Sequence, residues 1–230
     1  MVAPTRPGHT LHEARRPHPY DQHPRGGTLF AVGLLTKWRP TDDERQRTPP
    51  GQHLVRDFPV LHAGGVPYRS VPSDWSFRVF GEVEAPITLT IEEFRALPRV
   101  ERTADIHCVT SWSKLDTRWE GVSIGWVLAN CRPRASATHV IAHAEEEYTA
   151  NIPLEIISED DVLLADYFDG MPLTPEHGFP LRLVVPSRYF WKSAKWLRGL
   201  EFVDADRAGF WENYGYSMSA DPWGEERYAF

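Results

Sequence analysis

Phe77-Arg-Val-Phe-Gly-Glu-Val83 alternates apolar and polar side chains with the period of a half-buried strand, and Ile87-Thr-Leu-Thr90 continues the β character. A short helix is expected next. Thr90 is placed to cap it, Glu92 and Glu93 stand in its first turn near the positive end of its dipole, Phe94 anchors it, and Leu97-Pro98 closes it. The stretch 102–109 reads as a strand that carries Cys108 at its end. Ser123 is a candidate cap for a helix running to 129, and further strands are expected at 139–143, 148–152, 181–185 and 196–202. Many short strands and a few short helices, with no internal repeat, heptad or regular βαβ alternation, define an α+β domain with a β-rich core.

Outward from this centre the composition changes. Residues 1–52 are rich in Pro, His, Arg, Asp and Gln and read as a tail or surface wrap, so the folded domain is expected to occupy 53–230. The 230 residues are 41% hydrophobic and carry a net charge of −7, which argues for one sizeable core and against a nucleic-acid footprint. Twenty prolines and sixteen glycines mark a loop-rich chain and disfavour long helical bundles. The apolar run 29–35 is far short of the roughly 20 residues a membrane span needs. Arg15-Arg16 hints at a twin-arginine signal, but a long polar stretch separates the pair from that run, and the chain reads as cytoplasmic. Two cysteines are too few for a disulfide framework or for a zinc or iron–sulfur site built from protein alone.

Two segments carry chemistry. In His107-Cys-Val-Thr-Ser-Trp-Ser-Lys114 a cysteine sits where an apolar strand meets a polar, turn-prone stretch; it is either a reactive group or an ordinary buried thiol. In 172–196 a Gly/Pro-shaped loop bears His177, an apolar strand follows, and a second loop bears Arg188, Lys192 and Lys195. Cations and loop amides of this kind suit an anion with a planar body, although a strand flanked by solvated basic loops has the same pattern.

Taken together, Cys-Val-x-x-Trp-Ser at 108–113, His-Gly-x-Pro-Leu-Arg-Leu-Val-Val-Pro at 177–186 and Lys-Ser-x-Lys-Trp at 192–196 resemble the sulfite-oxidase and methionine-sulfoxide-reductase-like molybdopterin proteins. The likeness is closest to the small, stand-alone bacterial type and runs from about Pro50 to the C-terminus, with Gly-Phe-Trp-Glu at 209–212 included. It implies a mixed, β-rich sulfite-oxidase-type fold and a Mo-molybdopterin cofactor. Cys108 would supply the protein's thiolate to the metal, with the cofactor bringing two more sulfurs. His177 and Arg182 stand where family members contact the pterin or its phosphate, and Phe190, Trp191 and Lys192 occupy the loop that wraps the same group. Asp57 and Phe58 match an N-terminal pterin-binding segment, and His143 a strand-end contact, less closely. Cys131 matches no motif and reads as structural.

The chain departs from the family pattern twice. Sulfite oxidases follow the metal cysteine with arginines, whereas this chain has Thr110-Ser-Trp-Ser113. A dianion without cationic partners loses hydration uncompensated, so the expected substrate is a small neutral oxo compound such as a sulfoxide, unless Lys114, Arg118 or Arg188 turn toward the metal. Family members also place a tyrosine where this chain has Asp166, followed by Tyr167; these two are the candidates for that catalytic position, Asp166 as a buried proton donor. The leading expectation is oxygen-atom transfer at molybdenum. Because the likeness leaves nothing over for the dimerisation and haem domains of larger relatives, electrons are expected to pass to a separate partner. A hydrolytic Cys108 is disfavoured because His107, its neighbour, would face the other way on a strand. A non-catalytic, vestigial molybdopterin-binding module is the remaining alternative.

Overall fold

The computed structural model describes residues 39–61, 63–67 and 69–229, so Arg15-Arg16 and the apolar run 29–35 lie outside the described residues. The chain runs through α1 (Asp42–Gln46), β1 (His53–Leu54), β2 (Phe77–Gly81), β3 (Ile87–Leu89), α2 (Ile91–Arg95), β4 (Val100–His107) and β5 (Trp112–Ser123). It continues with α3 (Ile124–Cys131), β6 (His139–Ala144), β7 (Thr149–Pro153), α4 (Leu154–Ile157), β8 (Leu163–Phe168), β9 (Met171–Pro172), β10 (Arg182–Val184) and β11 (Leu197–Val203).

Two mixed sheets form, as an α+β reading requires. In the first, the path is β1-β5-β8-β10, with β4 paired to β5 and β9 to β8. In the second, the order is β3-β2-β11-β6-β7; β2 and β11 pair in parallel and the other neighbours antiparallel. The helices start where their caps dictate. Thr90 and Glu93 satisfy one another's backbone in a capping box, and the Ser123 hydroxyl accepts from the Trp126 N–H.

Strand alternation gives the first sheet two buried faces. Leu164, Val122 and Leu183 share a cluster with Phe77, Val79, Val140, Leu200 and Phe202 of the second sheet. Leu163, Ala165 and Val184, one residue out of phase, join Ile106, Trp112, Trp119 and the partly buried Cys108, Phe58, Phe168 and Phe190 in a cluster on the opposite face. Cys108 therefore belongs to a separate aromatic layer.

The longest strand, β5, was not among the expected elements. Its charged residues hide an alternation in which Thr117, Trp119 and Gly121 are buried. The compact unit also begins at Pro40, earlier than the expected boundary at 53. α1 has its own Thr41/Glu44 capping box, and Arg47 pairs with Asp105 of β4 and with Asp116 of β5. These bonds fasten residues 40–52 to the β4–β5 hairpin.

Candidate active site

Cys108 opens the turn that joins β4 to β5. Its N–H donates to the Trp112 carbonyl at 2.8 Å, its carbonyl accepts from the Ser111 N–H at 3.0 Å, and Ser111 takes φ +71° to close the turn. The Gln52 amide donates to the same Cys108 carbonyl at 3.1 Å, so the segment before β1 helps fix the turn. The sulfur lies 3.2 Å from the Thr110 hydroxyl. Burial pushes the thiol pKa up, opposed by Thr110 and by the charge of Arg227. His107 turns away: its Nδ1 meets the Ser113 hydroxyl at 2.8 Å, and burial pulls its pKa down to about 4. Among the described residues no hydrogen bond joins Cys108 to a histidine, which leaves the hydrolytic alternative without its base.

Around this turn stands an aromatic cradle. Phe58 stacks on His177, with ring centroids 4.1 Å apart and planes inclined by 21°, and its ring also meets Trp119, Phe168 and Phe190. His177 Nε2 lies 3.3 Å from the Phe58 carbonyl, which can only accept, so that nitrogen carries the proton and Nδ1 accepts from Thr174 at 3.0 Å. Gly178 makes the loop possible: its φ is +109°, and a Cβ would stand 3.1 Å from Cβ of both Arg182 and Lys195.

Two cations sit beside the cradle. Arg182 is 2% exposed; its guanidinium donates to the carbonyls of His177 and Ser193 at 3.0 Å each and packs 4.4 Å from the Phe190 centroid. Lys195 donates to the carbonyls of Leu61 at 2.7 Å and Glu176 at 2.9 Å. Neither has a carboxylate within ion-pair distance among the described residues. Burial pulls Arg182 down to about 9 and Lys195, with the help of Arg182, to about 7. Buried positive charge without a counter-ion costs several kcal/mol, and an anion placed there removes that cost. The donor set and the aromatic walls fit a phosphate-bearing planar cofactor.

Of the residues singled out from sequence, Cys108, Phe58, His177, Arg182 and Phe190 come together; Asp57 is exposed at the margin. Five others need correction. Lys192 is buried 2.5 Å from Glu212 and donates to Asn151 at 2.5 Å, and the Trp191 indole donates to Glu212 at 2.8 Å. Lys195, three residues on, lies beside the cradle instead, with its ammonium on the carbonyls of Leu61 and Glu176. Asp166 is the extra residue of a β-bulge, since Glu120 pairs with Tyr167 and Gly121 with Ala165. It is tied to Arg99 and Arg95, with burial raising its pKa against the pull of Arg99. Tyr167 lies under Arg99, and because Phe168 faces the cradle, Tyr167 faces away. His143 sits on the outer side of the second sheet, 2.8 Å from Glu201.

Trp119, Lys195, Tyr148 and Arg227 complete the neighbourhood. The Tyr148 hydroxyl donates to the Trp191 carbonyl at 2.5 Å, and the charges of Cys108 and Arg182 bear on it. Trp119 was hidden along with the alternation of β5, whereas Lys195 stands in a motif the sequence shows. Arg227 had no local signal.

A site of this kind, with one thiol, an aromatic cradle and two cations without an ion-pair partner among the described residues, fits a cofactor-dependent redox protein. The chain belongs to the oxidoreductase molybdopterin binding domain family, whose model matches residues 63–211, and it is an enzyme of the sulfite-oxidase type. It is similar to the oxidoreductase YuiH of Bacillus subtilis, 47% identical over 82% of this chain and 95% of that protein. It is also similar to the protein-methionine-sulfoxide reductase catalytic subunit MsrP of Xanthomonas campestris pv. campestris, 30% identical over 65% of this chain and 53% of MsrP. In fold it matches the crystal structure of the sulfane dehydrogenase SoxCD from Paracoccus pantotrophus, with a TM-score of 0.53 and 21% identity over 78% of this chain and 56% of the other. The sulfite-oxidase-type fold expected from sequence is the one observed.

Proposed function

We propose that the chain is a molybdenum-dependent oxidoreductase that moves an oxygen atom to or from a small oxo compound of the sulfoxide class, with electrons exchanged through a separate partner. The observation that carries this reading is a pair of cations, buried Arg182 and half-buried Lys195, with no acid in ion-pair distance among the described residues, beside the Cys108 thiol of the cradle. Among the described residues no three His, Cys, Asp or Glu side chains converge on a metal site, so a metal at Cys108 draws its other donors from the cofactor. When bound, molybdopterin supplies a two-electron metal centre for oxygen-atom transfer.

The chain's own residues bind and orient that centre. Cys108, held by Trp112, Ser111 and Gln52, presents its sulfur at a fixed point; Arg182 and Lys195 take the phosphate; the faces of Phe58, His177 and Phe190 exclude water. The turn residues Thr110 and Ser111 offer hydroxyls to a substrate oxygen. The names of MsrP, a catalytic subunit, and of the putative methionine-sulfoxide reductase subunit YedZ1 of Azospira oryzae support both the substrate class and the separate electron partner.

Molybdenum analysis together with pterin fluorescence of the purified protein tests the reading, and Cys108→Ser sharpens it. That variant should lose turnover with a redox dye and change the Mo(V) EPR signal, because a serine oxygen is a harder donor than a thiolate. Cys131 is fully buried at the C-terminal end of α3, and Cys131→Ser should leave both intact. Equal behaviour of the two variants would remove Cys108 as the ligand.

A further inference from the structure

Residues 212–229 lie beyond the part of the chain that the family model covers, yet they return to the cysteine. The Tyr189 N–H donates to the Ala220 carbonyl at 2.8 Å, Tyr216 bridges to Tyr228, and the Ser217 N–H donates to the Arg227 carbonyl at 3.2 Å. The segment thus forms a closed strap. At its end the Arg227 guanidinium donates at 2.6 Å to the carbonyl of Val109, the residue after Cys108, and lies 5.1 Å from the Tyr189 ring centroid. Its other amino group faces Gly51, where Glu225 also turns, but no carboxylate comes within ion-pair distance of it among the described residues.

Of the three cations expected from sequence to serve a substrate anion, Lys114 and Arg118 turn elsewhere and Arg188 bonds its own neighbour. The Lys114 ammonium donates to the Arg56 carbonyl at 2.7 Å, Arg118 reaches toward Gly170, and Arg188 donates to the Ser187 carbonyl at 2.9 Å. Arg182 and Lys195 lie in the cofactor cradle. Arg227 therefore supplies the positive charge that the segment after Cys108 lacks, and the expectation of a neutral site loses its premise.

We propose that Arg227 is a specificity-determining residue, drawing to Cys108 those oxo substrates that carry a formal negative charge beside the reacting oxygen. This rests on the function proposed above. The strap fixes the guanidinium through a main-chain carbonyl and an aromatic face, so its position does not depend on a flexible acid partner. A substrate group drawn to within roughly 6–8 Å of the guanidinium, at an effective dielectric of about 40–80, would gain about a two- to tenfold preference from one such charge.

The test uses Arg227→Gln, which keeps a donor for the Val109 carbonyl while losing the charge, and Arg227→Lys, which keeps the charge. In the full-length enzyme with its cofactor, Arg227→Gln should raise KM for an anionic oxo substrate two- to tenfold relative to a neutral sulfoxide, and Arg227→Lys should hold the wild-type ratio. A second measurement needs no turnover: alkylation of Cys108 in full-length, cofactor-free Cys131→Ser protein by iodoacetate and by iodoacetamide. The ratio of the two rates should fall two- to tenfold in Arg227→Gln and persist in Arg227→Lys. An unchanged ratio in Arg227→Gln, or an equal fall in both variants, would overturn the proposal. Absence of molybdenum from the purified protein would instead refute the function on which it rests, while the alkylation ratio would still report on Arg227.

Discussion

Removing the Lys192 ammonium is the perturbation that best separates a structural cation from a cofactor-binding one. Lys192 and Glu212 side chains are 1% and 0% exposed, and the carboxylate receives Lys192 at 2.5 Å and the Trp191 indole at 2.8 Å through one oxygen; its second oxygen has no hydrogen-bond partner. Lys192→Met keeps the stem but leaves Glu212 and Asn151 facing an apolar methyl. Breaking a buried pair from one side costs about 3–5 kcal/mol, a large part of the roughly 5–15 kcal/mol that holds a domain of this kind together. Lys192→Met/Glu212→Gln removes the stranded charge and should recover at least about half of the loss, a coupling that only a double-mutant cycle reveals. Urea unfolding of the three variants and wild type, with molybdenum content measured on the same preparations, provides the comparison. A stable Lys192→Met protein that failed to retain molybdenum would refute the reasoning and return Lys192 to the cofactor.

Further outcomes follow from the cradle and the sheet. Arg182→Ala and Lys195→Ala should each weaken cofactor retention by about tenfold to a hundredfold, the worth of one charge-assisted contact, with activity per molybdenum less affected; full molybdenum content in the double variant would exclude a phosphate role. In cofactor-free protein, Lys195 is held near 7 in the folded state against 10.5 in the unfolded chain, so the unfolded chain binds more protons between those values and stability should rise with pH across that window. Lys195→Met should flatten that rise in urea midpoints. Gly121→Ala would place a Cβ 1.9 Å from the Leu164 carbonyl oxygen, and thermal unfolding should show a loss of about 1–3 kcal/mol as β5 and β8 separate at the bulge.

Local chemistry made much of the fold legible. The Thr90 and Ser123 caps mark both helices they start, the alternation in 77–83 locates β2, and the short apolar run within 139–143 locates β6. β5 was hidden because Lys114, Asp116, Arg118 and Glu120 give its exposed positions the composition of a loop. The site was legible wherever a motif named its residues, as at Cys108, His177 and Arg182. It was not legible where position depended on register or on distant contacts. A one-residue bulge decides which way Asp166 and Tyr167 face, a carboxylate twenty positions away claims Lys192, and a strap near the chain's end delivers Arg227. No local pattern encodes those outcomes.

The parallel pairing of β2 with β11 joins Arg78 to Gly199, residues 121 positions apart, across the middle of the second sheet. During synthesis at roughly 5–20 residues per second, β2 and β3 leave the ribosome many seconds before the strand that flanks them exists. Their hairpin must wait with the inner edge of β2 open until β11 arrives. Lys195 emerges just ahead of β11, so both cations of the cradle and the strand that completes the sheet are delivered in one late interval of translation.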